Sequence, residues 1–156
     1  MEITLHNITH NLRLSQETNA FTADVWINGK KAGTAENAGH GGETCVYLHP
    51  KELQQEAEAY ARSLPPLDLG EGTLIPTTLD MLVDDLLTQH LHNNAVAKQK
   101  KRWCKKHVVY RVKGDPEDEY RTMQLDNGAF TDRQRKYLID KYGDQLVEIV
   151  NDTLVP

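Results

Sequence analysis

Apolar and polar residues alternate along the first third of the chain with the period of two that is typical of strands. In residues 2–14 the apolar parity changes near His6, which predicts a strand interrupted by a bulge or break. Residues 21–27 alternate without interruption and predict a half-buried strand with Asp24 and Trp26 on its outward face. An outward Trp26 indicates either a contact surface or a side chain that a helix covers.

The next residues predict a β-hairpin. Asn28 and Gly29 are residue types that accept the positive φ angles of a type I′ turn, so residues 30–36 are expected to return as the partner strand. After a glycine-rich segment, residues 44–48 are predicted to form a further strand.

Two segments in the middle of the chain have the apolar periodicity of amphipathic helices. The first begins at Pro50 and ends before Pro65-Pro66, and the second runs from a cap at Thr77 to about Trp103. Residues 65–76 between them are rich in proline and glycine and are predicted to be a mobile connector.

The last part of the chain predicts shorter elements. Residues 107–113 and 119–125 read as strands, residues 131–142 as a helix that stops at Gly143, and residues 146–150 as either a strand or a helix. Because strands and helices are segregated rather than alternating, we predict an α+β fold. The expectation is a single domain over residues 1–156, with an antiparallel sheet and an N-terminal β-hairpin packed by about three helices.

Composition narrows the class of protein. With 38% hydrophobic and 26% charged residues and no apolar run as long as a membrane span, the chain is expected to be a cytoplasmic protein. Two distant cysteines predict reduced thiols rather than a disulfide. The net charge of −5 argues against a protein devoted to nucleic acid.

The segment 36–43 is the leading candidate site. It places three of the ten glycines within four positions, interrupted only by a histidine. Backbone amides in such a turn can bind an anion, and an imidazole can add a donor or carry a proton. We therefore expect a non-enzymatic binding protein whose hairpin and glycine-rich loop hold a phosphorylated ligand or a partner protein. The predicted ligand-binding residues are Asp24, Trp26, Asn37, Gly39, His40, Gly41, Gly42 and Glu43. The competing interpretation is a structural turn with an exposed histidine.

Catalytic interpretations of this loop lack companion motifs. No GK[ST] follows the glycines, no βαβ unit surrounds them, and no GxSxG occurs in the chain. An enzyme with His40 as its acid–base residue is therefore a lesser alternative. The spacing of His40, Glu43 and His49 matches no zinc signature, so neither a metal nor a cofactor is expected.

A basic run supplies a second candidate site. Six cations fall within nine residues around a tryptophan, a combination that can hold a phosphate backbone and stack a base. The alternative function is thus a nucleic-acid-binding accessory protein using Lys98, Lys100, Lys101, Arg102, Trp103, Lys105 and Lys106. A solvated helix end that complements the helix dipole would explain the same residues.

The stretch from Phe21 to Gly42, which contains the hairpin and the glycine-rich loop, resembles small uncharacterised proteins of bacterial plasmids, phages and related mobile elements. The resemblance covers about 22 residues of the 156. It implies an intracellular accessory protein that acts on host processes or host defence. The identity of the ligand or partner stays open at this stage, as does homo-oligomerisation.

Overall fold

The structure is a computed structural model that describes residues 1–70 and 72–153. The chain divides into two compact units, an amino-terminal unit, Met1–Leu91, and a carboxy-terminal unit that begins at His92. The predicted α+β class is confirmed, since each unit combines helices with antiparallel strands. The assignment of the whole chain to one domain stays a prediction. No helix among the described residues is long and apolar enough to cross a membrane.

A four-stranded antiparallel sheet forms the amino-terminal unit. Its strands lie in the order β1 (Ile3–His10), β2 (Phe21–Ile27), β3 (Lys30–Asn37) and β4 (Cys45–Leu48). The predicted hairpin is confirmed: Asn28 and Gly29 have φ angles of 50° and 76° between β2 and β3. The predicted bulge in β1 is also confirmed, as a register shift after His6.

The core of this unit lies on one face of the sheet. Every second residue of β2 is buried there, because side chains alternate between the two faces of a strand. Two helices, α1 (Lys51–Ser63) and α2 (Leu79–Cys104), contribute Ala57, Ala61, Val83 and Leu87 to the same core.

The connector between α1 and α2 contains a short ladder of two strands, β5 (Leu67–Asp68) and β6 (Leu74–Ile75). Its mobility stays a prediction. The predicted cap of α2 at Thr77 is wrong: the helix begins two residues later, and the Thr77 hydroxyl donates to the carbonyl oxygen of Pro65 at 2.7 Å.

The carboxy-terminal unit has a sheet of its own. Its strands β7 (His107–Val112), β8 (Arg121–Gln124) and β9 (Leu146–Ile149) are antiparallel in the order β8-β7-β9. The helix α3 (Asp132–Tyr142) ends at Gly143 as predicted, and α4 (Val150–Thr153) follows β9. Residues 146–150 therefore contain both a strand and the start of a helix.

Sequence signals fix the ends of α3. The hydroxyl of Thr131 accepts from the backbone N–H of Gln134, and the Gln134 side chain accepts from the Thr131 backbone, which together form a capping box. Leu138 packs from α3 onto Val108 and Ile149 of the sheet and completes the core of this unit.

Candidate functional site

Asn37 braces the glycine-rich loop from the end of β3. Its Oδ1 accepts from the backbone N–H of Gly39 at 2.8 Å and from the hydroxyl of Thr18 at 2.9 Å. Its Nδ2 donates to the carbonyl oxygen of Gly42 at 2.9 Å and to the hydroxyl of Thr44 at 3.1 Å. These hydrogen bonds of the Asn37 side chain therefore stabilise the conformation of the loop.

Two of the glycines are required by the path of the backbone. Gly39 and Gly41 have φ angles of 87° and 86°. A Cβ atom at Gly39 would lie 2.3 Å from the carbonyl oxygen of Leu14, and one at Gly41 would lie 2.2 Å from Oε2 of Glu17. The Gly41 N–H donates to the Thr18 hydroxyl at 3.3 Å, so the amides of both glycines have partners within the protein.

A cleft of about 580 Å³ lies beside the loop. It brings together four of the predicted site residues, Asn37, His40, Gly42 and Glu43, but not Gly39 or Gly41. The remaining lining includes Phe21, Thr22, Glu36, Ala38 and the exposed thiol of Cys45. Among the described residues, two carboxylates and no lysine or arginine line this cleft, a charge pattern that disfavours a phosphorylated ligand.

Asp24 lies outside this cleft, on the sheet face opposite the core. Its Oδ1 lies 2.8 Å from the ammonium group of Lys31, and its Oδ2 accepts from the Asn7 side chain at 2.8 Å. The hydrogen bond from Lys31, followed by the one from Asn7, holds the pKa of the Asp24 carboxyl below its usual value. Asp24 is thus engaged in local pairing within the sheet.

Trp26 is half-buried rather than fully exposed on the same sheet face. The ring of His6, from the neighbouring strand, lies 4.5 Å from the Trp26 ring. The indole N–H of Trp26 is buried without a hydrogen-bond partner among the described residues. Trp26 was expected either to form an exposed contact surface or to be covered by a helix. The structure favours a covered side chain, but the residue that covers it is His6 rather than a helix.

The basic run occupies the last turns of α2 and the turn that follows it. Five of its cations, Lys98, Lys101, Arg102, Lys105 and Lys106, are exposed. Lys100 is half-buried, with its ammonium group 4.4 Å from the centre of the Tyr120 ring. Trp103 is half-buried as well.

The carboxy-terminal unit has seven lysines and arginines outside the run, and three of them form ion pairs among the described residues. Arg111, Arg121 and Arg135 each form an ion pair with a carboxylate, at 3.4, 2.7 and 2.6 Å respectively. Over residues 1–70 and 72–153, by contrast, no ion pair involves a cation of the run 98–106. The positive charge of the run is therefore not neutralised by neighbouring carboxylates.

Charge is segregated between the two units. The amino-terminal unit carries 5 lysines and arginines against 13 acidic residues, a net charge of −8. The carboxy-terminal unit carries 13 against 10, a net charge of +3. The overall charge of −5 thus conceals a basic unit, and it does not exclude an anionic partner for that unit.

In the described part of the chain, no group of three or more His, Cys, Asp or Glu side chains is placed to hold a metal ion. The His40 side chain is exposed, and none of the hydrogen bonds among the described residues joins it to a potential nucleophile.

Sequence reasoning missed two features of these sites. Tyr120 joins the basic run through its contact with Lys100, and Phe21 and Cys45 line the cleft. Tyr120 is 20 residues from Lys100 and follows an acidic turn, so no local pattern linked the two. Cys45 lies opposite Glu36 because β3 pairs with β4, a register that no local sequence pattern specified.

No protein-family model, curated protein or solved structure matches this chain. The fold and the candidate sites therefore rest on the contacts of its own residues.

Proposed function

We propose that the protein is a non-enzymatic accessory protein that binds nucleic acid through the basic run 98–106 at the end of α2. The observation that supports this proposal is a local concentration of unpaired charge. Among residues 1–70 and 72–153, none of the six cations of the run has a carboxylate partner, whereas Arg111 and Arg121 of the same unit have one each and Arg135 has two. Unpaired cations at a surface attract phosphate groups, and the released counterions favour binding.

The helix dipole alone does not account for the run. A helix C-terminus carries the equivalent of about −0.5 charge, and its effect is confined to about the last turn. Six cations between Lys98 and Lys106 exceed that charge many times over. Most of the positive charge therefore remains available to an external polyanion.

Aromatic side chains lie within or beside the same cations. Trp103 is part of the run, and the ring of Tyr120 lies under the ammonium group of Lys100. Base–aromatic stacking tolerates any sequence, so this combination favours a single-stranded nucleic acid bound without sequence preference.

Fluorescence anisotropy with a labelled single-stranded oligonucleotide tests the proposal. The exposed cations Lys101, Arg102 and Lys105 are replaced together by alanine, and a matched variant loses Arg13, Lys30 and Lys51, three exposed cations of the acidic unit. We expect the triple alanine variant of Lys101, Arg102 and Lys105 to bind at least about tenfold more weakly than the wild type. Each phosphate contact that is lost releases one counterion fewer on binding, and this release favours the complex. The matched variant should bind like the wild type. Equal weakening by both variants would contradict the proposal.

A second candidate function rests on the cleft beside the glycine-rich loop. The hypothesis of a bound ligand or partner protein is kept, but Glu36 and Glu43 favour a neutral or cationic group there over a phosphorylated one. Thermal unfolding with added inorganic phosphate or with spermidine distinguishes an anionic ligand from a cationic one, because a ligand that binds the folded state raises the melting temperature. If one of these two probes raises the melting temperature of the wild type but not that of His40→Ala, that probe binds in the cleft.

The resemblance of residues 21–42 to proteins of mobile elements suggests the setting. An accessory protein of a plasmid or phage that binds nucleic acid would act on host processes or host defence. This part of the proposal rests on the resemblance alone.

A further inference from the structure

An apolar groove of about 540 Å³ lies between the connector and α2 in the amino-terminal unit. Its apolar lining comes from Leu64, Pro65, Pro66, Leu67, Met81 and Leu82. Leu67, Leu69 and Leu74 of the connector are 50–60% exposed. Apolar surface gathered around a groove is typical of a protein-binding site rather than of scattered surface residues.

The rim of the groove is acidic. Asp84 and Asp85 line it along α2, and the unit that contains it has a net charge of −8. Asp84 accepts from the Thr44 hydroxyl at 2.6 Å and Asp85 from the Gln89 amide at 2.9 Å. Within the part of the chain that the structure describes, neither carboxylate forms an ion pair. The complementary occupant is an apolar side chain flanked by cations.

The chain itself carries such a segment on α3. Tyr137 is 48% exposed there, and Arg133 and Lys141 lie four residues before and after it, on the same side of the helix. The Lys141 ammonium group donates to the Tyr137 hydroxyl at 3.1 Å and lies 5.3 Å from the centre of its ring. An exposed aromatic ring with a cation in contact and a second cation one helical turn away is a typical anchor of a protein interface.

We propose that this protein self-associates head to tail, with Tyr137 of one copy inserted into the groove of a second copy. Arg133 and Lys141 then face the acidic rim formed by Asp84 and Asp85. Such an interface is heterologous: each copy offers one groove and one Tyr137, so association is open-ended unless the rotation between copies closes a ring.

Sedimentation velocity of nuclease-treated full-length protein tests the proposal without any nucleic acid that could bridge copies. Concentrations up to about 100 µM suffice, since a contact with a dissociation constant of about 10 µM is then largely formed. We expect the sedimentation coefficient to rise with concentration and the rise to diminish at high salt, because the rim contacts are electrostatic. A wild-type protein that stays monomeric throughout would overturn the proposal.

Two variants locate the two halves of the interface. Met81→Glu places a charge in the groove, and Tyr137→Asp removes the anchor; each should weaken association at least about thirtyfold, the usual effect of losing one anchoring residue. Gln55→Glu adds the same charge to an exposed position of α1 that does not line the groove, and Tyr137→Phe keeps the ring. Both controls should associate like the wild type.

Mixing the two defective variants gives the most specific readout. The Met81→Glu protein retains Tyr137 and the Tyr137→Asp protein retains an intact groove, so together they should form one-to-one dimers that cannot grow further. Failure of the mixture to dimerise would contradict the head-to-tail arrangement. Association lost by Met81→Glu but kept by Tyr137→Asp would show that the groove binds something other than α3. If circular dichroism shows that Met81→Glu is unfolded, Asp85→Lys at the exposed rim replaces it in both experiments.

Discussion

Replacement of Gly39 by alanine should destabilise the amino-terminal unit, whereas the same replacement of Gly42 should not. Gly39 is buried and has a φ angle of 87°, and an added Cβ would lie 2.3 Å from the carbonyl oxygen of Leu14. At Gly42 nothing lies within 4 Å of an added Cβ. Gly39→Ala and Gly42→Ala therefore add the same methyl group at a crowded position and at an open position of one loop.

The expected magnitude for Gly39→Ala has three parts. The left-handed conformation costs an alanine about 1–2 kcal/mol. Relief of the overlap with Leu14 costs about 1–3 kcal/mol, as in an overpacked core. The reduced entropy of the unfolded chain returns about 0.4–1 kcal/mol. The net loss in the free energy of unfolding is about 1–5 kcal/mol.

Urea denaturation followed by tryptophan fluorescence measures this loss. In a Trp103→Phe background, Trp26 reports on the amino-terminal unit alone, since these are the two tryptophans of the chain. For a denaturant slope of about 2 kcal/mol/M, the midpoint of Gly39→Ala should fall by about 0.5–2.5 M urea. Gly42→Ala should stay within about 0.5 kcal/mol of the wild type. Equal midpoints for Gly39→Ala and Gly42→Ala would refute the claim that the conformation of the loop requires a glycine at position 39.

Three further predictions concern single side chains. Asn37→Ala should lower the free energy of unfolding by about 2–3 kcal/mol in urea denaturation, because it leaves partners within the loop unsatisfied; a change below about 0.5 kcal/mol would contradict its bracing role. The folded-state pKa of Asp24 is lowered, so its contribution to stability is present above its unfolded pKa of about 3.9 and is lost as the pH falls through the folded value. Asp24→Asn should therefore lose less stability than the wild type between neutral and acid pH, and parallel pH profiles would count against the pairing with Lys31. Thr131→Ala should cost about 1 kcal/mol through loss of the capping box, whereas Thr122→Ala, at an exposed strand position, should cost less, and reversal of that order by calorimetry would contradict the cap.

Local sequence patterns predicted the elements whose causes are local. The hairpin followed from Asn28-Gly29 between alternating segments, because the turn and the strands constrain the same few residues. The end of α3 followed from Gly143 for the same reason. The separate sheet of the carboxy-terminal unit was not predicted, since strand pairing over long separations leaves no periodic signal in the strands themselves.

The candidate sites were predicted less completely because they depend on contacts between distant segments. The glycines of segment 36–43 marked an unusual loop, but Leu14, Glu17 and Thr18, which determine its conformation, precede β2. The net charge was misleading for a similar reason. A sum over the chain cannot show that the run 98–106 forms no ion pair among the described residues, while the excess acids lie mostly in the amino-terminal unit.

The salt dependence of oligonucleotide binding tests the central claim most directly. A plot of the logarithm of the association constant against the logarithm of salt concentration has a slope of about −0.7 per phosphate neutralised on a single strand. For the wild type we predict a slope between about −2 and −4, reduced in magnitude by about 2 when Lys101, Arg102 and Lys105 are replaced by alanine. A wild-type slope near zero, or one that these replacements leave unchanged, would contradict binding through the basic run.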